Sequence, residues 1–441
     1  MKGWVGAGIL LLAGISWAQR SFYPVRFIEF TLANGLHVIL QRDTSAPVVA
    51  TVLYYKVGSR NEEPQRTGFA HFFEHLMFEG TEHIPRATID KYIQEAGGML
   101  NAFTTFDATV YYFQLPLHQL PLALWIEAER MRRLRIDSVG VETQRGVVKE
   151  ERKMRYDNSP YGGWMEKLFG RLFAGSPYGW TPIGSAQHID SARIEEFVGF
   201  YNRYYQPNNA VLVIVGDIDP QQARQLVETY FGQYPRGPEL PPFRFELPRM
   251  MAGEQRDTVY DKKAPQPAVF IGWRGPEKGH PDAYALEMLM DILSEGESSR
   301  LYRRLVDETQ VAAQASAFYY DLQYAGAIIA IGLAAPEKPI ADVERELLAT
   351  IERVQREGVT DAEFQKARNI REARFVMGKK EALSKALSLA SYWATFGDAN
   401  LINTELERYL QVTREDIQRV ARKYFTSDRV VLTYLPAQTQ P

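Results

Sequence analysis

Two histidines and a glutamate lie within five residues of one another in the segment 67–80, which reads TGFAHFFEHLMFEG. Its phenylalanines recur at helical spacing, so the segment is predicted to form a largely buried helix. On that helix His71 and His75 are one turn apart and project from one face, where both imidazoles can bind the same ion. Glu74 reaches the same side and could act as a base beside the metal. The spacing therefore predicts a metal centre.

The alternative is that these three groups are hydrogen-bonded members of an ordinary core. With seven histidines in the chain, an H-x-x-E-H pattern should arise by chance in roughly one such sequence in a hundred. An otherwise apolar helix also has little reason to carry three ionisable groups unless something compensates for their burial. The metal interpretation is therefore preferred.

A third metal ligand must come from elsewhere, because catalytic zinc normally takes three protein ligands and keeps a fourth position for water. The chain has no cysteine, so this ligand must be His, Asp or Glu. The best candidate segment is 141–152, which contains Glu150 and Glu151. On a helix Glu151 follows Val147 by one turn and shares its predicted inward face, whereas Glu150 is about 100° away and solvated. A wholly solvated helix is the alternative for this segment.

The elements that must position these residues form a mixed pattern. Runs rich in β-branched and aromatic residues predict strands at 48–55, 108–115 and 210–215. Helical spacing of apolar residues predicts helices at 120–134, 194–204, 220–230, 340–357 and 382–395. Thr67 is the expected N-cap of the metal-binding helix, and Gly80 is expected in a left-handed conformation just past its end. Because strands and helices do not alternate strictly, the predicted fold class is α+β.

The chain is predicted to contain two homologous halves. Five prolines fall between residues 235 and 248, in a stretch without helical or strand periodicity that is typical of a linker. Segment 423–433 repeats the pattern of segment 203–213, in which a basic-aromatic-aromatic helix end precedes a polar turn and a strand. Segment 286–290 likewise parallels segment 73–77. We therefore predict an internal duplication, with a first domain at 19–230, a linker at 231–249 and a second domain at 250–441.

The composition and the N-terminal residues indicate the class of protein and the compartment in which it acts. The 441 residues carry 51 basic and 54 acidic side chains, a near-balance that does not support a nucleic-acid-binding protein. Lys2 precedes an apolar run at 5–17, and small residues precede the bond after Ala18, so residues 1–18 are predicted to be a cleaved signal peptide. An uncleaved membrane anchor is the alternative, although the run is too short to span a bilayer as a helix. The protein is expected to be periplasmic or extracellular.

The H-x-x-E-H segment, followed by a glutamate 76 residues after its second histidine (151 − 75), resembles the M16 metallopeptidases. This family includes pitrilysin, insulin-degrading enzyme and the mitochondrial processing peptidase (MPP). Further similar segments extend over nearly the whole chain after residue 18: 58–60, 68–71, 78–81, 97–104, 177–178, 183–184 and 207–209. The resemblance implies two homologous α/β-roll domains of the LuxS/MPP-like type, and the length of the single chain is similar to that of M16B subunits.

The resemblance also implies a role for each candidate residue. It makes His71, His75 and Glu151 the ligands of one Zn2+ and Glu74 the general base. The family's edge strand, which binds a peptide substrate as an added strand, corresponds here to Asn101, Ala102, Phe103 and Thr104.

One departure from the family pattern and one feature of the second half affect what is expected. Several members carry another glutamate seven residues before the ligand glutamate; this chain has Gln144 there, with Glu142 close by. At the positions of the H-x-x-E-H residues the second half has Tyr284, Glu287 and Met288, so one metal site is expected.

The resemblance implies a zinc-dependent endopeptidase acting on extended or unfolded peptides. The alternative is a non-catalytic M16-like scaffold or partner subunit, a type that typically lacks the H-x-x-E-H residues. Active members generally complete the site with an Arg and a Tyr from the C-terminal part of the assembly, but the corresponding stretch 331–340 contains neither. Either another residue such as Arg300 substitutes, or a homologous subunit supplies both residues in a heterodimer. The heterodimer is the preferred expectation.

Overall fold

Two β-sheets form the framework of the computed structural model, which describes residues 24–437. The strands of the first sheet are β1 (Ile28–Thr31), β2 (His37–Arg42), β3 (Val48–Tyr55), β4 (Met99–Thr104), β5 (Thr109–Pro116) and β6 (Ala210–Gly216). Those of the second are β7 (Glu254–Asp261), β8 (Ala268–Gly275), β9 (Ala312–Asp321), β10 (Gly326–Ala334) and β11 (Arg429–Pro436). The predicted signal peptide, residues 1–18, lies outside the described residues.

Helices accompany both sheets. In the first half they are α1 (Phe69–Leu76), α2 (Ile89–Glu95), α3 (Leu120–Arg132), α4 (Ser138–Arg152), α5 (Trp164–Leu172), α6 (Ala186–Ser191), α7 (Ile194–Tyr204) and α8 (Pro220–Phe231). In the second half they are α9 (Pro281–Ser294), α10 (Ile340–Glu357), α11 (Asp361–Met377), α12 (Ala382–Phe396), α13 (Leu401–Leu410) and α14 (Arg414–Tyr424). Strand β3 and helices α7 and α10 have the predicted limits. Among residues 24–437, none of the helices combines the length and apolar content needed to span a bilayer.

The two sheets share one topology. Their spatial orders are β1-β2-β6-β3-β5-β4 and β7-β11-β8-β10-β9, so the second repeats the last five positions of the first. In each sheet one pair is parallel, β2 with β6 and β7 with β11, and the strands that follow are antiparallel. The predicted α+β class and the internal duplication are thereby confirmed. Residues 235–251, all of them described, form neither helix nor strand.

Each half covers one face of the other half's sheet. Helix α12 of the second half packs on the first sheet through Ala386 and Leu389, against strands β3 and β6. Helix α5 of the first half packs on the second sheet through Leu168 and Leu172, against β8 and β11. Both sheets are therefore buried on two faces, which explains why β6 is apolar and buried along its whole length.

Candidate metal centre

Helix α1 is held in place by its aromatic side chains. Phe69 and Phe72 stack on Phe197 of α7, with ring centroids 4.7 and 4.6 Å apart. Phe73 stacks on Phe200 of the same helix at 5.6 Å. All of these rings are buried except that of Phe200, which is half-buried, and aromatic pairs of this kind contribute about 0.5–1.5 kcal/mol beyond the area that they bury. The phenylalanines that separate the histidines in the sequence thus fix the face on which the histidines lie.

The start of α1 differs from the prediction, because Thr67 does not cap it. The N-cap is Gly68, at φ +97°, and the Thr67 hydroxyl instead lies 2.9 Å from Nδ1 of His188. The cap is the buried Glu62, whose carboxylate accepts hydrogen bonds from the N–H groups of Gly68 and Ala70, both at 2.8 Å. Burial raises the pKa of Glu62 to about 8, so the cap acts through these hydrogen bonds and not through a fixed charge. Sequence reasoning missed Glu62, because it precedes the helix by more residues than known capping motifs span.

Glycine is required where the start of α1 meets a neighbouring loop. A Cβ on Gly184, which has φ +63°, would lie 2.3 Å from the backbone of Gly68. Only glycine allows this approach, because any side chain would separate the two backbones. Two segments that were singled out in the sequence, 68–71 and 183–184, therefore meet at the start of helix α1.

Helix α4 presents the third candidate ligand. Its N-cap is Asp137, which accepts a hydrogen bond from the N–H of Gly140 at 2.9 Å. The inward face carries Val148, which is buried, whereas Val147 is 44% exposed, so the predicted inward position of Val147 is wrong. The prediction assumed that Glu151 lies at the centre of the buried face. In the structure Glu151 is half-buried at the edge of that face, so the residue one turn before it is exposed. After α4 the chain continues as a π-helical turn at 153–157, a feature often found at functional sites.

The structure brings His71, His75 and Glu151 together. Oε2 of Glu151 lies 3.0 Å from Nε2 of His75 and 3.5 Å from Nε2 of His71. One ligand atom from each of the three residues lies within 4.8 Å of the other two. Ligand atoms bound tetrahedrally to zinc at about 2.0–2.1 Å are about 3.3 Å apart. Two of the three separations bracket this value and the third is at most 4.8 Å, so the three side chains are close enough to bind one zinc ion.

The charges of the three side chains also suit a cation. Burial and the neighbouring His75 lower the pKa of His71 to about 4, which leaves its imidazole unprotonated at neutral pH. The hydrogen bond with His75 lowers the pKa of Glu151, which keeps its carboxylate charged. Metal ligands must be deprotonated. The site thus offers two nitrogen donors and one anionic oxygen, a donor set used by catalytic zinc sites.

The neighbouring Glu150 has a different environment. Its side chain is 65% exposed and forms an ion pair with Lys153, at 2.6 Å. Arg155, which the sequence analysis did not single out, lies 2.9 Å from Oε1 of Glu151. The two oxygens of Glu151 are thus divided between a cation on one side and the histidines on the other. The spacing of four residues on a helix is the signal that could have identified Arg155.

Glu74 lies beside the histidines and contacts strand β4. Its Oε2 accepts a hydrogen bond from the hydroxyl of Thr104 at 2.7 Å. Burial raises the pKa of Glu74, which brings it closer to the range suited to a general base. Strand β4 is the edge of the first sheet, with Asn101 and Phe103 exposed on one side and Ala102 and Thr104 half-buried on the other.

The structure shows the surroundings of Gln144, at the position where the resemblance leads one to expect an additional glutamate. Nε2 of Gln144 donates a hydrogen bond to Oε1 of the buried Glu79, at 2.6 Å, and Glu79 also pairs with Arg86. An amide suits this position, because a second carboxylate would repel Glu79. Glu142 does not take over the role, since it is 69% exposed and pairs with Arg145.

The second half carries no comparable ligand group at the corresponding place. The carboxylate of Glu287 pairs with Arg371 and accepts a hydrogen bond from the hydroxyl of Tyr409 at 2.6 Å. Tyr284 accepts a hydrogen bond from Arg408 at 2.8 Å, and Met288 is buried. Within residues 24–437, the sole group of three His, Asp or Glu side chains positioned for a metal is that of the first half.

The fold and the site together define a class of two-domain α+β proteins with a His-His-Glu centre on the first domain. The family model for insulinase (peptidase family M16) matches residues 37–163, and the model for the peptidase M16 inactive domain matches residues 191–371. A zinc protease of Helicobacter pylori, PqqE, is 30% identical over 430 residues, which cover 97% of this chain and 96% of that protein. The chain belongs to peptidase family M16.

Other relatives and solved structures agree with this assignment. An uncharacterized zinc protease of Mycobacterium tuberculosis (strain ATCC 25618 / H37Rv) is 31% identical over 89% of each chain. The crystal structure of a Helicobacter pylori protease has a TM-score of 0.86 and 30% identity, over 93% of this chain and 100% of that one. The first half of the periplasmic protease PqqL from Escherichia coli, at 20% identity, shares the fold with a TM-score of 0.76 over 94% of this chain and 95% of that chain.

Proposed function

We propose that the protein is a zinc-dependent metalloendopeptidase that hydrolyses extended or unfolded peptides, and that it is the zinc-bearing subunit of an M16B-type heterodimer. The observation that carries the proposal is the convergence of His71, His75 and Glu151 beside Glu74. The names of similar proteins support zinc as the metal. We assign the first three residues as zinc ligands and Glu74 as the general base.

The arrangement suggests how the residues act on a peptide bond. His71, His75 and Glu151 would hold a zinc ion, and the ion would supply a Lewis acid to polarise the scissile carbonyl and lower the pKa of water. Glu74 accepts the proton of the attacking water and passes it to the leaving amine. The free edge of β4, at 101–104, pairs with the main chain of the peptide, so that affinity depends little on side-chain sequence.

We also propose a division of the chain and a compartment. Residues 1–18 form a signal peptide, 19–230 the zinc-bearing domain, 231–249 the linker and 250–441 the second domain. The proline-rich stretch between α8 and β7, which forms neither helix nor strand, supports the linker. The signal sequence directs the protein to the periplasm or outside the cell. Sequencing the N-terminus of the secreted protein tests this, because cleavage leaves Gln19 as the first residue.

The heterodimer is proposed because the chain lacks the expected Arg and Tyr in 331–340. The candidate substitute Arg300 is already engaged, since its guanidinium pairs with both oxygens of Glu363 at 2.7 Å and donates to the carbonyl of Gly358. A homologous subunit that lacks H-x-x-E-H would supply the missing groups, which stabilise the developing oxyanion. Peptide hydrolysis should therefore be slow for this chain alone and rise when the M16-like product of a neighbouring gene is added. Full activity without the partner would contradict the heterodimer.

The activity itself is tested by digesting a peptide library with and without a chelator, using this chain alone and then with its partner. We expect cleavage that stops on chelation and returns with added zinc. The variant Glu74→Gln retains the shape of the site but cannot accept a proton, so it should bind zinc and lose at least about 100-fold in turnover. Cleavage that persists in the chelator, or in Glu74→Gln, would contradict the proposed mechanism.

A non-catalytic scaffold is the second candidate, because residues 191–371 match a model of an inactive domain. That match covers the region where Tyr284, Glu287 and Met288 stand in place of the ligands and the base. The match begins within the first half, at residue 191, but excludes His71, Glu74, His75 and Glu151, so it does not bear on the candidate metal centre. Absence of cleavage in the presence of stoichiometric zinc and partner would favour the scaffold.

A further inference from the structure

Thr104 links the edge strand to the proposed general base. Its hydroxyl donates to Oε2 of Glu74 at 2.7 Å, and this is the only hydrogen bond that the Glu74 carboxylate makes within residues 24–437. A hydrogen bond to a charged carboxylate is stronger than one between neutral groups. One oxygen of Glu74 is thus fixed by a neutral donor, and the other is left available for a proton.

The position of the Thr104 hydroxyl is set by the backbone of β4. Thr104 is the last residue of the strand and pairs with Thr109 of β5. Its side chain lies on the half-buried side of the strand, while Phe103 is exposed on the other. A β-branched side chain has few χ1 rotamers in a strand. Any change in the path of β4 would therefore move the hydroxyl and, with it, the carboxylate of Glu74.

We infer that Thr104 is a positioning residue that aligns Glu74 when a peptide pairs with the edge of β4. This inference rests on the proposed function, since it assigns a partner to the base of that reaction. A peptide added to the edge restricts the strand, and the hydrogen bond transmits this restriction to the carboxylate. Thr104 thus contributes its main chain to the bound peptide and its side chain to the orientation of the base.

The test replaces the hydroxyl and leaves the shape of the residue. For Thr104→Val we expect kcat to fall roughly 10- to 100-fold, the scale of one hydrogen bond to a charged group. KM should stay within about twofold and zinc should remain stoichiometric, because neither the strand edge nor the ligands change. Thr104→Ser keeps the hydroxyl and should recover most of the activity. Steady-state kinetics of the complete assembly and metal analysis provide the measurements.

Thr51→Val is the matched control. Thr51 lies in β3 of the same sheet, is 1% exposed, and its hydroxyl has no hydrogen-bond partner among residues 24–437. The same substitution there removes a buried hydroxyl without touching Glu74, so kcat should not change.

Several results would overturn the inference. Unchanged kcat in Thr104→Val, a rise in KM alone, or a loss of zinc would each show that the hydroxyl does not position the base. Equal losses in Thr104→Ser and Thr104→Val would do the same. Glu74→Gln, assayed in parallel, distinguishes a failure of the proposed function from a failure of this inference. An active Glu74→Gln contradicts the proposed function. An inactive Glu74→Gln together with a fully active Thr104→Val contradicts the inference about Thr104 alone.

Discussion

Replacing either of two adjacent glutamates by glutamine should affect zinc binding in one case and leave it unchanged in the other. In the structure Oε2 of Glu151 lies 3.0 and 3.5 Å from the two histidine nitrogens, whereas Glu150 points to solvent and pairs with Lys153. Glu151→Gln removes the anionic ligand and keeps the size of the side chain. Glu150→Gln makes the same chemical change one residue earlier and serves as the matched control.

The expected change in zinc affinity depends on where each glutamate lies. Loss of a group that only contacts a metal ligand typically costs 10- to 100-fold in metal affinity. Because Glu151 is positioned to bind the metal directly, Glu151→Gln should weaken zinc binding by at least about 100-fold, or about 2.7 kcal/mol. Glu150→Gln breaks an exposed ion pair worth about 0–1 kcal/mol and should leave zinc affinity unchanged.

Competition with a chromophoric chelator measures the zinc affinity of both variants independently of catalysis. Circular dichroism of the metal-free proteins checks that each variant is folded. Unchanged affinity in Glu151→Gln would refute the assignment of the third ligand. Loss of zinc in Glu150→Gln alone would show that the helix presents the neighbouring residue.

Three further predictions concern the framework around the site. Glu62→Ala removes the buried cap of α1 and should lower the free energy of unfolding by about 1–2 kcal/mol in urea denaturation. Lys385 pairs with Asp43 at the contact between the halves, where both side chains are 10% exposed. Lys385→Met leaves Asp43 without its cation and should lower the free energy of unfolding by about 3 kcal/mol in the same assay. Burial disfavours the charged form of Asp282, but hydrogen bonds from cationic neighbours outweigh it and lower the pKa to about 2. Since this pKa lies below the unfolded value, the charged Asp282 stabilises the folded protein above pH ~4, and this stabilisation is lost as the pH falls towards 2. Over that range the free energy of unfolding of the wild type should fall by about 2 kcal/mol more than that of Asp282→Asn.

Each of these predictions has a result that would contradict it. Wild-type stability in Glu62→Ala would mean that water satisfies the N–H groups of the helix. A double variant in which Asp43→Asn accompanies Lys385→Met should recover part of the loss, and no recovery would argue against a charge effect. Parallel acid profiles of the wild type and Asp282→Asn, measured without metal, would show that Asp282 does not titrate with folding.

The sequence was sufficient for the elements whose pattern is strong. Strand β3 and helices α7 and α10 have the expected limits, because their apolar periodicity is uninterrupted and both sheets are covered on two faces. The relation between the two halves was visible in repeated patterns, and it reappears as a shared strand order. The exchange of α5 and α12 between the halves could not be predicted, because an apolar helix face does not specify which sheet it covers.

Part of the candidate site could also be predicted from the sequence. The spacing of His71 and His75 determines that they share a helix face, and the structure places Glu151 close to both imidazoles. Contacts between residues distant in sequence carried no such signal. Glu62 reaches the helix start across a loop, and Thr104 meets Glu74 only because the edge strand passes beside α1. These contacts depend on tertiary packing, which local spacing does not encode.

The proposed zinc ion on His71, His75 and Glu151 can be located by crystallography. The most direct measurement is an anomalous difference map from crystals of the zinc-loaded protein, collected on both sides of the zinc absorption edge. We expect one peak per chain, about 2.0–2.2 Å from Nε2 of both histidines and from a carboxylate oxygen of Glu151. A peak at another group of residues, or no peak in a protein that retains zinc in solution, would contradict the account.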